Sequence, residues 1–232
     1  MRIVSWNCQQ ALGRKRDALA TLAPDVAVLC EAPLSNPLEA SLLDGAASWH
    51  AAGPYPSKCV AIAGFRGPLT PCRLAADPHR WGVAVTCENG VGVLGVWSVC
   101  QPSRRYGDEV LGIVDANSEW IAHGDVVVAG DFNIDAHGVG NGSGGVRLFS
   151  DLVARFADLG LISAYHCSSG EPFGEESSMT HFHRRNAARG FHIDYCFIPR
   201  AWQGAIREVA VGRPDEWLGL SDHMPILVDI AI

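Results

Sequence analysis

The chain has 232 residues, 48% hydrophobic and 19% charged, with a formal net charge of −7 at pH 7. That length allows one large domain or two small ones around a sizeable core, and the acidic balance excludes a protein that coats nucleic acid through bulk charge. No apolar run reaches the ~18 residues of a membrane span, and the N-terminal MRIVSWNC reads as a strand with no secretory pattern, so a cytoplasmic protein that does not enter a membrane is expected.

In chain order, the first strand is expected at Ile3–Trp6, ending in Asn7. Arg14–Leu22 reads as a helix that stops before Pro24. Val26–Cys30 is the second strand and ends in Glu31. Strands follow at Val60–Ala63, Val83–Thr86 and Val91–Val96, the last running into Trp97. Arg105–His123 is long enough for a helix. Val126–Gly130 is small, mostly β-branched and apolar, which suits a strand buried on both faces. Gly145–Leu159 carries Val146, Phe149, Val153 and Phe156 at helical spacing. Strands at His192–Ile198, Ile206–Val211 and Ile226–Ile230 close the chain. Many strands with few interleaved helices point to stacked sheets flanked by helices, not to a fully alternating α/β wheel. No repeat or low-complexity linker divides the sequence, so residues 1–232 are expected to form one domain.

The eight cysteines, at 8, 30, 59, 72, 87, 100, 167 and 196, include no C-x-x-C pair. Several sit inside apolar strands, which predicts reduced, structural thiols. The cations cluster locally as Arg14, Lys15 and Arg16; Arg104 and Arg105; and Arg184, Arg185 and Arg189. Each cluster is either a solvated face or a means of positioning phosphate.

The chemistry-bearing residues gather at strand ends. Asn7 ends SWN, Glu31 ends VLCE, and Asp131 and Asn133 end VVVAGDFN. FHIDYCF carries His192 and Asp194, and LSDHMPI places Ser221, Asp222 and His223 before the last strand. Asp194 is hard to dismiss, because a charged group in an apolar strand needs a partner. If the strand ends converge, they form a polar pocket suited to phosphoryl transfer with a hard cation. Mg²⁺ takes oxygen ligands, a carboxylate can deprotonate water, and a His held by an Asp can stabilise developing charge.

These residues, in this order, resemble the endonuclease/exonuclease/phosphatase superfamily, which includes pancreatic-type deoxyribonuclease and exonuclease III. The motifs SWN, a strand-ending Glu, GDFN, IDY and SDH carry the resemblance across nearly the whole chain. It implies an α+β fold, a four-layer α/β/β/α sandwich of two mainly antiparallel sheets flanked by helices. It implies Mg²⁺ or Mn²⁺ on Asn7 and Glu31 with Asp222 near the metal, Asp131 as the water-activating base, Asn133 on the phosphate, and an Asp194–His223 pair. It further implies a phosphodiesterase with nucleic acid as the expected substrate, although phosphatases of inositol lipids, sphingomyelinases and deadenylases share the family. A non-catalytic binding module on the same fold is the rival expectation.

Two positions depart from the family pattern. Gln9 stands where many relatives carry Asp or Asn two residues after the first Asn. Trp97 is the match for a phosphate-touching His or Tyr, unless it is plain core; its indole can donate a hydrogen bond but cannot exchange protons. Arg104 and Arg105 are then candidates to hold phosphate. In SMTHFHRRNAARGFHIDY, His181 and His183 form either one outward face of a strand or, with Arg184, a substrate loop beside the metal that contacts phosphate or stacks on bases, while a zinc site on His181 and His183 lacks a convincing third ligand.

Overall fold

The apolar runs become strands, and most extend further than expected. The computed structural model describes residues 1–33, 45–72, 81–99 and 104–232, so Cys100 lies outside the described residues. The strands are β1 (Arg2–Asn7), β2 (Val26–Ala32), β3 (Ser48–Tyr55), β4 (Lys58–Gly64), β5 (Leu69–Pro71), β6 (Gly82–Cys87), β7 (Gly92–Trp97), β8 (Val126–Asp131), β9 (Leu161–Ser163), β10 (His181–Phe182), β11 (Gly190–Phe191), β12 (Asp194–Pro199), β13 (Ile206–Val211) and β14 (Ile226–Ile230). The helices are α1 (Arg16–Thr21), α2 (Tyr106–Ala116), α3 (Ser118–His123), α4 (Gly145–Asp158), α5 (Ala164–Ser169) and α6 (Pro214–Trp217).

Two six-stranded sheets form, in the orders β13-β14-β1-β2-β4-β3 and β5-β6-β7-β8-β12-β9. Each holds one parallel pair, β1 with β2 and β7 with β8; the other neighbours are antiparallel. A tight turn cannot join parallel strands, so a helical crossover joins each pair: α1 in the first sheet, α2 and α3 in the second. Parallel strands also end at the same edge. Asn7 and Glu31 therefore share one edge of the first sheet, and Trp97 and Asp131 one edge of the second. The sheets pack face to face with β1 against β8, which brings these edges together.

The outer faces are covered by helices, as the four-layer expectation requires. Leu19 of α1 and Trp217 of α6 pack on Val4, Trp6, Leu29 and Leu227 of the first sheet. Val110 and Ile113 of α2 and Leu152 and Phe156 of α4 join the main core with the second sheet. No helix among the described residues is long and apolar enough to cross a membrane.

Three local expectations are corrected, and some strands go unannounced by the sequence. The helix expected over Arg105–His123 breaks at Asn117, whose backbone leaves the helical region. Its side-chain amide donates to the Ile113 carbonyl at 2.8 Å, the backbone competition that makes Asn a helix-ender. β12 starts at Asp194, two residues later than expected, and His192 packs against Tyr165 and Tyr195 in the interior. β3 and β9 lack the alternation that would announce them. Lys15, expected on a solvated or phosphate-facing cluster, is buried, and its ammonium donates to the carbonyls of Cys8, Gln9 and Gln10.

Candidate active site

At the shared edge, residues distant in sequence meet in one hydrogen-bonded group. Asn7 Nδ2 of the first sheet donates to Asp131 Oδ2 of the second at 2.9 Å. Asn133 donates its backbone N–H to Asp131 Oδ1 at 3.0 Å and its amide to Asp131 Oδ2 at 2.9 Å. Asp194 lies directly opposite Asp131 in the antiparallel register of β12 and β8. Like charges so placed repel, and His223 relieves the repulsion: its Nδ1 bonds Asp194 Oδ2 at 2.9 Å and its Nε2 lies 4.0 Å from Asp131 Oδ2.

The remaining motif residues are braces for this group. Trp6 Nε1 donates to the His223 carbonyl at 2.9 Å. Ser221 Oγ donates to the Asn7 carbonyl at 2.8 Å and accepts the His223 N–H at 3.1 Å. Phe132 stacks on Phe156 and Phe197 beneath the site.

The electrostatics follow from burial and pairing. Burial disfavours the ionised Asp131, and the facing Asp194 adds to the effect, raising its pKa to about 7. Burial opposes the charged His223, but the Asp194 and Asp131 carboxylates outweigh it and raise its pKa to about 10. The charged form of His223 is thus favoured, held against Asp194 and facing Asp131. A carboxyl titrating near neutrality is suited to general-base work.

Ligand atoms of Asp131, Asp194 and His223 lie within 4.8 Å of one another, a grouping that could hold a metal ion. The family resemblance implies instead Asn7 and Glu31, with Asp222 near the metal. The imidazolium already neutralises part of the first grouping. In the second, the Glu31 and Asp222 side chains stay 16% and 20% exposed, and both charges act on the Lys15 ammonium. Glu31 is the extra residue of a bulge between Cys30 and Ala32 and adopts a left-handed φ of 56°. Bulges re-aim side chains beside sites, and its carboxylate is ion-paired with a cation, Lys58 Nζ, at 3.0 Å. Carboxylate and amide oxygens of this kind fit a hard divalent ion.

The other expected residues divide. His181 stands beside the group, its ring centroid 4.5 Å from that of His223 and its Nε2 3.9 Å from Asp222; burial and His223 push its pKa down to about 4, so it is neutral. His183 lies 6.3 Å from His181, ring to ring, and Arg184 is exposed next to it. Arg105 is paired with Asp108 at 2.8 Å and Arg104 lies 3.7 Å from the buried Glu109, so each arginine has an internal carboxylate partner. Trp97 is 4% exposed and packs edge-on against Trp81; it is a core residue beneath the site. Gln9 accepts a bond from Arg185 Nη2 at 2.6 Å and so ties the 183–189 loop to the end of β1. Both amide hydrogens of Asn133 are bonded to protein, the second donation going to the Ser98 carbonyl at 3.0 Å.

Sequence reasoning missed Lys58 and Thr180. Lys58 reads as an ordinary charge opening an apolar strand. Thr180 is fully buried, and its Oγ1 accepts the backbone N–H groups of both Ile193 and Asp194 at 3.0 Å.

The profile of the "Endonuclease/Exonuclease/phosphatase family" matches residues 4–223. No curated protein matches the chain. Among solved structures it is similar to a 3'-5' exonuclease, NExo, from Neisseria meningitidis, with TM-score 0.71 and 23% identity. It is also similar to the 3' phosphatase NExo from Neisseria bound to a product DNA hairpin, with TM-score 0.71 and 24% identity, and to an AP endonuclease from Archaeoglobus fulgidus, with TM-score 0.77 and 13% identity. Each match covers 100% of both chains. At these identities the likeness is one of fold.

Proposed function

The chain belongs to the endonuclease/exonuclease/phosphatase family, and on that footing we propose that it is a Mg²⁺- or Mn²⁺-dependent phosphodiester hydrolase, a nuclease acting on DNA or RNA. The observation that carries this reading is the Asn7–Asp131 bond between the sheets, set beside the Asp194–His223 pair. We read residues 1–232 as one domain working in the cytoplasm.

In this reading Asp131 takes the proton of the attacking water, and the amides of Asn7 and Asn133 hold its carboxylate in place. His223 has its Nδ1 committed to Asp194, so its Nε2–H is left to donate to a phosphoryl oxygen and stabilise the charge that grows there. Asn133 reaches the phosphate by giving up its bond to the Ser98 carbonyl. Asn7, Glu31 and Asp222 would hold the divalent ion, which when bound supplies Lewis-acid polarisation and charge neutralisation. His181, His183 and the exposed Arg184 line the approach for a polyanionic substrate. A neighbour of the same fold bound to a DNA hairpin supports nucleic acid as that substrate.

The test is hydrolysis of a simple phosphodiester and of nicked and abasic duplexes with Mg²⁺, Mn²⁺ or EDTA, with Asp131→Ala beside the native chain. Metal-dependent cleavage that falls by roughly 10²–10⁴-fold in the variant is expected for loss of a general base. Undiminished turnover in a folded Asp131→Ala protein would sink the assignment. The same fold in a 3' phosphatase gives a second reading: a hairpin ending in a 3' phosphate, dephosphorylated faster than any diester is cut, would favour it.

A further inference from the structure

Among the expected metal ligands, Glu31 is already paired with a cation. Lys58 opens β4, its side chain is 35% exposed, and its Nζ lies 3.0 Å from Glu31 Oε1. The same ammonium sits 5.0 Å from the centroid of the Trp97 ring. Trp97 is paired in register with Asp131. Lys58 thus spans from the bulged strand of the first sheet to the strand of the second that flanks Asp131.

We propose that Lys58 is the resident counter-ion of Glu31, which a divalent ion displaces and which then serves the substrate's phosphate from the face of Trp97. The proposal rests on the reading of Glu31 as a metal ligand. A divalent ion and an ammonium repel one another strongly when they share a carboxylate. The lysine is the partner free to leave, on a flexible four-carbon stem with rotatable donors. The Trp97 face retains it after release by cation–π attraction, beside Asp131, where a phosphate would lie. This gives the buried Trp97 a role without requiring its indole to touch substrate. It also places metal binding before the lysine's contact with phosphate.

Mn²⁺ binding followed by the electron paramagnetic resonance of the free ion tests this without any turnover. Lys58→Met keeps the stem over Trp97 and removes the charge. It is expected to tighten Mn²⁺ binding by about five-fold, as the loss of one partly exposed ion pair would. At saturating Mn²⁺ it should raise KM for a phosphodiester more than it lowers kcat, and Lys58→Arg should restore both. Glu31→Gln is expected to weaken Mn²⁺ binding by at least about ten-fold, as for loss of a charged ligand. Unchanged or weaker Mn²⁺ binding in Lys58→Met, with Glu31→Gln impaired, overturns the counter-ion role alone. Unchanged binding in Glu31→Gln overturns the metal reading beneath it.

Discussion

Thr180→Val isolates how the backbone holds the Asp194–His223 pair. Thr180 is fully buried and bonds the backbone of both segments that carry the pair. Its Oγ1 accepts the N–H groups of Ile193 and Asp194, each at 3.0 Å, and its carbonyl accepts the Met224 N–H at 2.7 Å, next to His223. Valine matches threonine in shape, so no cavity opens; what is lost is the hydroxyl. Two buried N–H groups are then left without an acceptor, at about 1–3 kcal/mol each. Because they share one oxygen, the pair is worth less than twice a single bond, and a loss of about 2–4 kcal/mol follows. For a chain of this size that is a fall in Tm of roughly 5–15 °C. The first residue of β12 also loses its anchor, so kcat should fall by roughly ten-fold or more as Asp194 drifts from His223. Urea unfolding followed by circular dichroism reads the first effect and diester hydrolysis the second. Thr180→Ser should recover both. A stability loss below about 0.5 kcal/mol, within the range of neutral substitutions, or a serine variant no better than valine, would refute the reasoning.

Two further outcomes follow from the same structure. Glu176 is buried, which alone would raise its pKa, but hydrogen bonds from His166 at 3.0 Å and from the Gly174 N–H at 3.0 Å prevail and lower it from 4.5 to about 2. A depressed folded pKa means stability that is complete above pH 4.5 and lost as pH falls from there towards 2; the shift sets an upper bound of ~3 kcal/mol. Urea midpoints at pH 5.5 and 2.5 should differ more for the native chain than for Glu176→Gln, and equal differences would dismiss the pair as a stabiliser. Gly130→Ala should abolish folding, because a Cβ there would stand 1.8 Å from the Val96 carbonyl oxygen of the neighbouring strand at a φ of +145°. The cost exceeds the ~4–5 kcal/mol of exceptional single substitutions, and a soluble variant with a native spectrum would contradict it.

The layered fold is legible because its strands are simple. Val126–Val128 is apolar on both faces and needs no partner to be recognised, and β8 is buried along its full length. Short elements such as β9 carry too few residues for a period to show. The break at Asn117 turns on one side-chain bond that competes with the helix, and residue types alone do not declare it. The depth of Lys15 is equally silent, since a lysine between two arginines reads as solvated until the carbonyls that surround it are placed.

The site is legible for a different reason: the motifs join chemistry to its scaffold within a few residues. In GDFN, Gly130 lets β8 approach Val96, Phe132 anchors the turn in the aromatic stack, and Asp131 and Asn133 carry the function proposed for them. In SDH, Ser221 fastens Asn7 to the backbone of His223, and in SWN, Trp6 does so from the other side. Thr180 and Lys58 lie outside these clusters. Thr180 acts on Asp194 through backbone N–H groups, and Lys58 meets Glu31 only because a bulge turns that carboxylate out of its ladder. Neither has a signature that spacing can express, because each depends on strand register between segments that the chain order keeps apart. Residues that hold a site through the backbone of another segment are therefore visible only once the register is known, and Trp97 shows the converse. It ends a strand as a ligand would, but its neighbours, Trp81 just before the adjacent strand and Lys58 from the facing sheet, make it a platform.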